Sequence, residues 1–184
     1  MTAVTVSLLY LTALGMTMVF LFLESRFPRR RTAIIIYSLT VLLMGIEMVL
    51  ALVLGEQKLV PLYSLIVHLP AFGVVCLLSR FKGWRLFFQF LSAILFCTVI
   101  QQIAGVAYYF SGTKVWSLWA VYLLLTPLVL WFLSFKLCPL VSEVMESLRH
   151  GWWLLCMVLV VYWVTTMYLI PGYVGEGSIT TILK

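Results

Sequence analysis

Six apolar runs, each long enough to cross a lipid bilayer, follow one another along the 184-residue chain. A helix rises about 1.5 Å per residue, so roughly 20 residues cross the hydrocarbon core. Helices are expected because an open sheet would leave unpaired backbone groups in lipid. Charged residues make up only 10% of the chain, against about 25% in soluble domains. We therefore predict an all-α, polytopic transmembrane helical bundle with six spans, at approximately 4–23, 33–54, 59–79, 86–110, 115–135 and 152–170.

The distribution of lysine and arginine predicts which ends of the spans face the cytoplasm. Nine of the 12 basic residues lie in the connections 24–32, 80–85 and 136–151. Cytoplasmic connections are enriched in these residues, so we expect the N-terminus to lie outside. Residues 1–173 then form the membrane region, and 174–184 form an extracytoplasmic tail. The position of the basic residues in cytoplasmic connections explains the positive net charge without a nucleic-acid surface. We therefore expect the lipid bilayer, and not nucleic acid, to be the partner.

The segment 137–150 differs from the other connections. Its apolar residues share one helical face and Pro139 can begin a helix, which predicts a short amphipathic helix on the cytoplasmic membrane surface. A plain linker between two spans is the alternative.

Polar residues inside four of the predicted spans lie at similar depths. Glu47, His68 and the pair Gln101 and Gln102 are each about 8–9 residues from the outer end of their span, roughly 12–14 Å deep, and Thr12 is at the same level. A lone glutamate is costly there, so we expect these groups to bind one another, with Glu47 and His68 as the preferred pair. This polar layer is either a ligand or proton site, or a hydrogen-bond layer that only specifies helix packing.

Two prolines are candidate hinges. Pro70 cannot donate to the carbonyl of Ile66, which predicts a kink beside His68 and a cavity open to the outside. Pro127 is a second candidate kink, in the fifth span.

The sequence lacks the motifs of common catalytic sites. It has no aspartate and no HExxH, GxSxG or P-loop motif, so we predict no enzymatic activity, no cofactor and no metal site. The four cysteines lie in or beside apolar runs without a CxxC pair, and resemble packing residues. A thiol peptidase built on His68 and Cys76 is disfavoured because the thiol has apolar neighbours.

Two stretches resemble the membrane region of GHKL-domain sensor histidine kinases of Gram-positive anaerobes. They are "YSLIVHLPAFGVVCLLSRFKGWRLFFQFLSAILFC" and "VVYWVTTMYLIPGYVGEG". The pattern is carried by Tyr63, His68, Leu69, Pro70, Lys82 and Phe88, and later by Tyr162, Thr165, Thr166 and Tyr168.

The resemblance implies a multi-pass sensor in the bacterial cell membrane, able to form a homodimer and to bind an extracellular small molecule or peptide. Such receptors continue into a kinase core, which this chain lacks; we expect it to be the input half, truncated or encoded separately. Neither His68 nor His150 matches the phospho-accepting motif. A proton acting through His68 is another candidate signal. The alternative function is a small transporter subunit, such as the substrate-binding component of a vitamin uptake system, with both ends in the cytoplasm.

Overall fold

The computed structural model describes residues 3–112, 114–148 and 150–169, and helices make up nearly all of them. The tail 174–184 and the family-like residues beyond 169 lie outside the described residues. The all-α prediction is confirmed for the part of the chain that is described, where only an isolated bridge between Ser25 and Ser79 has β geometry. The helices are α1 (Ala3–Phe22), α2 (Arg29–Leu54), α3 (Glu56–Tyr63), α4 (Leu69–Leu78), α5 (Trp84–Phe110), α6 (Val115–Phe132), α7 (Cys138–Ser147) and α8 (Trp152–Leu169).

Four helical stretches are long and apolar enough to cross a membrane: Thr5–Phe22, Arg29–Leu54, Trp84–Phe110 and Val115–Ser147. Two shorter apolar helices, Leu65–Leu78 and Trp152–Thr165, occupy the places of the third and sixth predicted spans. Large apolar side chains on the outer helices are exposed, Leu52 to 80% and Leu124 to 75%. Such a surface is stable in lipid and not in water, so the structure supports a membrane protein.

Helix α1 lies at the centre of the bundle, packed against α2 on one side and α5 on another. Its side chains are buried around its circumference; Met16 and Met18 are both almost fully enclosed. Phe22 stacks on Phe96 of α5, with ring centroids 5.6 Å apart. Because α1 is surrounded, its few polar side chains must find partners on neighbouring helices.

Two prolines are accommodated by single π-helical turns. The segment Ser64–His68 joins α3 to α4, and Pro70 follows it by two residues. The segment Leu133–Leu137 joins α6 to α7, with Pro139 at the same offset. Since proline cannot donate a backbone hydrogen bond, the wider turn lets the chain continue as a helix past it.

The observed breaks differ from the predicted ones in two places. Helix α6 continues through Pro127 as an α-helix, so the helix is not broken there. Helix α7 forms within the predicted amphipathic segment, but it continues from α6 through the π turn and is not a separate element.

The three basic connections meet at one end of the bundle. The Arg26 amide donates to the Leu78 carbonyl at 3.0 Å, and the Arg80 amide donates to the Glu24 carbonyl at 2.7 Å. Helix α7 closes over them, because the Ser142 hydroxyl donates to the Glu24 carboxylate. The connections that the charge distribution assigned to one side of the membrane are therefore neighbours in space.

Candidate functional site

A buried polar cluster of Thr12, Glu47 and Tyr63 joins the first three helices. The Thr12 hydroxyl donates to Glu47 Oε1 at 2.6 Å, and its oxygen lies 3.1 Å from the Tyr63 hydroxyl. Because the Thr12 proton is used on the carboxylate, Tyr63 must be the donor in the second bond. Three helices thus contribute one group each to a single hydrogen-bonded chain, which we call the Glu47 cluster.

The turn between α2 and α3 places Glu47 and Tyr63 at the same height. Gly55 adopts a positive φ of 77°, a conformation that favours glycine, and reverses the chain within one residue. Glu47 lies seven residues before Leu54 and Tyr63 seven residues after Glu56. At 1.5 Å per residue, both are about 10 Å from the turn. The match in height follows from the equal spacing.

His68 does not pair with Glu47 in the way the sequence predicted. Because α3 begins at Glu56 rather than near residue 59, His68 lies 12 residues beyond the start of α3, whereas Glu47 lies only seven residues before the end of α2. His68 is therefore roughly 7 Å deeper than Glu47. Its imidazole contacts the Tyr63 ring edge-to-face, with centroids 5.8 Å apart and planes at 80°. No hydrogen bond joins His68 to Glu47 among the described residues; His68 contacts Tyr63, whose hydroxyl is hydrogen-bonded to Thr12.

The carboxyl group of Glu47 is only partly satisfied. Its side chain is 1% exposed, and Oε2 has no hydrogen-bond partner among the described residues. No salt bridge reaches it in the part of the chain that is described. Buried polar atoms are nearly always hydrogen-bonded, so an orphaned carboxyl oxygen indicates a functional group.

The glutamines of α5 are not part of the cluster. Gln101 and Gln102 are half-buried, and neither side chain makes a hydrogen bond to another described residue. On α5, the Cys97 thiol donates weakly to the carbonyl of Leu11, the residue before Thr12, at 3.7 Å. The predicted layer is therefore assembled from Thr12, Glu47 and Tyr63, with His68 at its margin.

A second polar group lies between α1 and α6. Ser7 Oγ is 3.1 Å from the Tyr122 hydroxyl, and the Tyr10 hydroxyl is hydrogen-bonded to Thr126. The rings of Tyr10 and Tyr122 stack with centroids 4.5 Å apart. Sequence reasoning missed these residues and the role of Tyr63. The available signal was that a tyrosine inside an apolar span needs a partner for its hydroxyl.

Two surface grooves of the described structure lie away from the Glu47 cluster. Both are shallow and run along the outer surface, one on α8 at Leu154, Val158 and Val161, the other on α2 at Ile34 and Val41. Their lining is almost wholly apolar and includes no residue of the Glu47 cluster. The arrangement is thus a closed cluster in the bundle interior.

The site has few chemical capabilities. The described residues contain no group of three or more His, Cys, Asp and Glu side chains that could hold a metal ion. The carboxyl group of Glu47 can bind and release a proton, and the hydroxyls of Thr12 and Tyr63 can each donate or accept a hydrogen bond.

No protein family, no curated protein and no solved structure matches this chain.

Proposed function

We propose that the chain is the input region of an integral membrane receptor, similar in kind to the membrane region of GHKL-type sensor histidine kinases. In this proposal it crosses the bacterial cell membrane six times, with its N-terminus outside. The Glu47 cluster lies in the outer half of the bilayer and is the element that responds to the signal.

The observation that carries this proposal is the partly satisfied carboxyl at the junction of α1, α2 and α3. In a polar layer that served only helix packing, every buried polar atom would be expected to have a hydrogen-bond partner, because an unpaired buried acceptor costs about 1–3 kcal/mol. The π turn Ser64–His68 directly follows Tyr63, so the helix that carries one member of the cluster has an irregular turn beside it. π turns inside α-helices frequently occur at functional sites.

The positions of the basic connections support the proposed orientation. They gather at the end of the bundle closed by α7, and the Glu47 cluster lies towards the other end, near the turn at Gly55. Placing the basic end in the cytoplasm puts the cluster on the extracytoplasmic side.

A small transporter subunit is the alternative function, favoured by the size and the number of apolar helices. The two functions predict different topologies. Two reporters distinguish these topologies: one that is active only outside the cell and one that is active only inside. Each is fused in turn to each terminus. The receptor proposal expects both ends outside; both ends inside would favour the transporter.

A test of signalling uses the native host with chromosomal variants. We expect Glu47→Gln and Tyr63→Phe each to change the same limited set of transcripts, with Tyr109→Phe as a matched control on the exposed surface. Unchanged transcripts in both variants, with each protein present at normal levels, would contradict the receptor proposal.

A further inference from the structure

The protonation state of Glu47 follows from its surroundings. An ionised carboxylate that is 1% exposed and accepts one hydrogen bond from a neutral hydroxyl would be a nearly uncompensated buried charge. That costs several kcal/mol, more than one hydrogen bond returns. A proton on the carboxyl removes the charge and leaves the bond from Thr12 to Oε1 in place. The closed cluster is therefore stable only with the neutral acid.

The titratable groups around the cluster do not offer a compensating positive charge. Tyr63 contributes its hydroxyl from α3, Cys97 of α5 is bonded to the Leu11 carbonyl beside Thr12, and Tyr122 of α6 is bonded to Ser7; all three are neutral when protonated. His68 is the potential cation among these described residues, and its imidazole contacts the Tyr63 ring without a hydrogen bond or ion pair to Glu47. No lysine or arginine of the described residues forms an ion pair with Glu47.

We propose that Glu47 is a proton-binding site, and that a proton bound at its carboxyl is the ligand that holds the bundle in the closed arrangement. This inference rests on the proposed receptor function and names the class of its signal. When the proton leaves, the carboxylate requires water or a further donor, which the closed cluster does not supply. The closed state binds one more proton than the open state, so raising the pH favours opening.

The moving part is the helix formed by α3, the π turn and α4. It contributes Tyr63 to the cluster, and α3 itself is only eight residues long. Helices α1 and α2 are each a continuous 20 residues or more. Displacing α3 breaks the Tyr63–Thr12 bond and exposes the Glu47 carboxyl to the extracytoplasmic side, without unpacking α1 from α5.

Infrared spectroscopy of the full chain in lipid vesicles tests the proton site directly. A protonated carboxyl has a carbonyl stretching band distinct from that of carboxylates. The chain has no aspartate and only six acidic residues, and Glu143 and Glu146 are exposed. We expect the wild type to show this band at neutral pH and to lose it as the pH rises. Glu47→Gln should lack the band, and Glu146→Gln, the matched control, should retain it.

The opposite results would overturn the proposal. A neutral-pH spectrum without the band in the wild type, or a band of equal intensity in Glu47→Gln, shows that Glu47 is ionised or that another group holds the proton. If Glu47→Gln does not fold, the wild-type titration decides, because a band absent at neutral pH contradicts the assignment on its own.

Opening is measured by amide hydrogen exchange in residues 56–78. At each pH the wild type is compared with Glu47→Gln, so the intrinsic pH dependence of exchange cancels. We expect exchange to be faster in the wild type than in the variant at alkaline pH and equal at acidic pH. Equal exchange rates in the wild type and Glu47→Gln at every pH would contradict the proposal that proton release from Glu47 opens the bundle. Proton binding without a transcript change in the host variants would instead contradict the receptor function alone.

Discussion

The hydroxyl of Thr12 connects α1 to both of its polar neighbours. It donates to Glu47 and accepts from Tyr63, so a single side chain satisfies two groups from two other helices. Thr17, on the same helix, bonds instead to the Ala13 carbonyl one turn back, at 2.8 Å. Two threonines in one apolar helix therefore have different roles, which depend on the face of α1 that each occupies.

The Tyr63 hydroxyl is the most easily tested member of the cluster. We expect Tyr63→Phe to lower the free energy of unfolding by about 0.5–1.5 kcal/mol, the usual net value of one hydrogen bond. The ring contact with His68 remains, because phenylalanine keeps the ring. Denaturant titration in detergent measures the loss. Tyr109→Phe removes a hydroxyl from a residue that is 76% exposed and should change nothing; equal losses in both variants would contradict the assignment.

At the scale of elements, the two π turns explain why the chain tolerates prolines within its apolar helices. Each precedes a proline at the same offset, so the irregular backbone and the missing donor occur together. Pro127 has no such turn, and α6 passes through it as a continuous helix. Of the two prolines predicted to disturb a helix, Pro70 therefore lies beside a π turn, whereas Pro127 does not.

We expect Pro70→Ala to regularise the turn and to rotate Tyr63 away from His68. The new amide can donate to a carbonyl one turn back, which removes the reason for the π geometry. The chain has only two histidines, so the ring resonances of His68 and His150 are easily assigned by NMR. The His68 resonances should shift in Pro70→Ala.

Pro139→Ala is the control for this experiment, since it alters the equivalent π turn far from His68. It should leave the His68 resonances in place. A shift of His68 in Pro139→Ala, or none in Pro70→Ala, would show that the turn does not set the position of the ring.

Helix α7 holds the basic end of the bundle together mainly through burial. Met145 is fully buried, whereas the ion pair of Arg80 with Glu146 spans 3.8 Å between side chains that are more than 60% exposed. We expect Met145→Ala to cost about 2–5 kcal/mol of unfolding free energy and Glu146→Gln less than about 1 kcal/mol. Denaturant titration of the two variants distinguishes them, and a larger loss in Glu146→Gln would contradict this account.

At the scale of the whole molecule, apolar side chains point both inwards and outwards, and polar side chains are concentrated at the ends and in a few interior clusters. Composition and the lengths of the apolar runs were sufficient to predict the all-α class, because the bilayer permits few alternatives. Charge distribution predicted which connections belong together, and the structure brings those connections into contact.

The interior could be predicted only in part. Glu47 and Thr12 were expected to meet because depth along a helix can be counted from the sequence. The same count misplaced His68, because it depends on where α3 begins, and Gly55 sets that start three residues earlier than the apolar run indicated. The count gives depth along a helix but not the neighbouring helix towards which a side chain points. The positions of Gln101 and Tyr63 relative to the cluster therefore required the structure.

The central claim is that Thr12 and Glu47 are coupled within a closed bundle. A double-mutant cycle of Thr12→Val and Glu47→Leu on the unfolding free energy of the whole chain measures this coupling directly, because leucine removes the acceptor of the Thr12 hydroxyl. Thr17→Val replaces Thr12→Val in a control cycle. We predict a coupling of about 1 kcal/mol or more for Thr12 with Glu47, and additivity within about 0.5 kcal/mol for Thr17 with Glu47. Additive losses in both cycles would contradict the account.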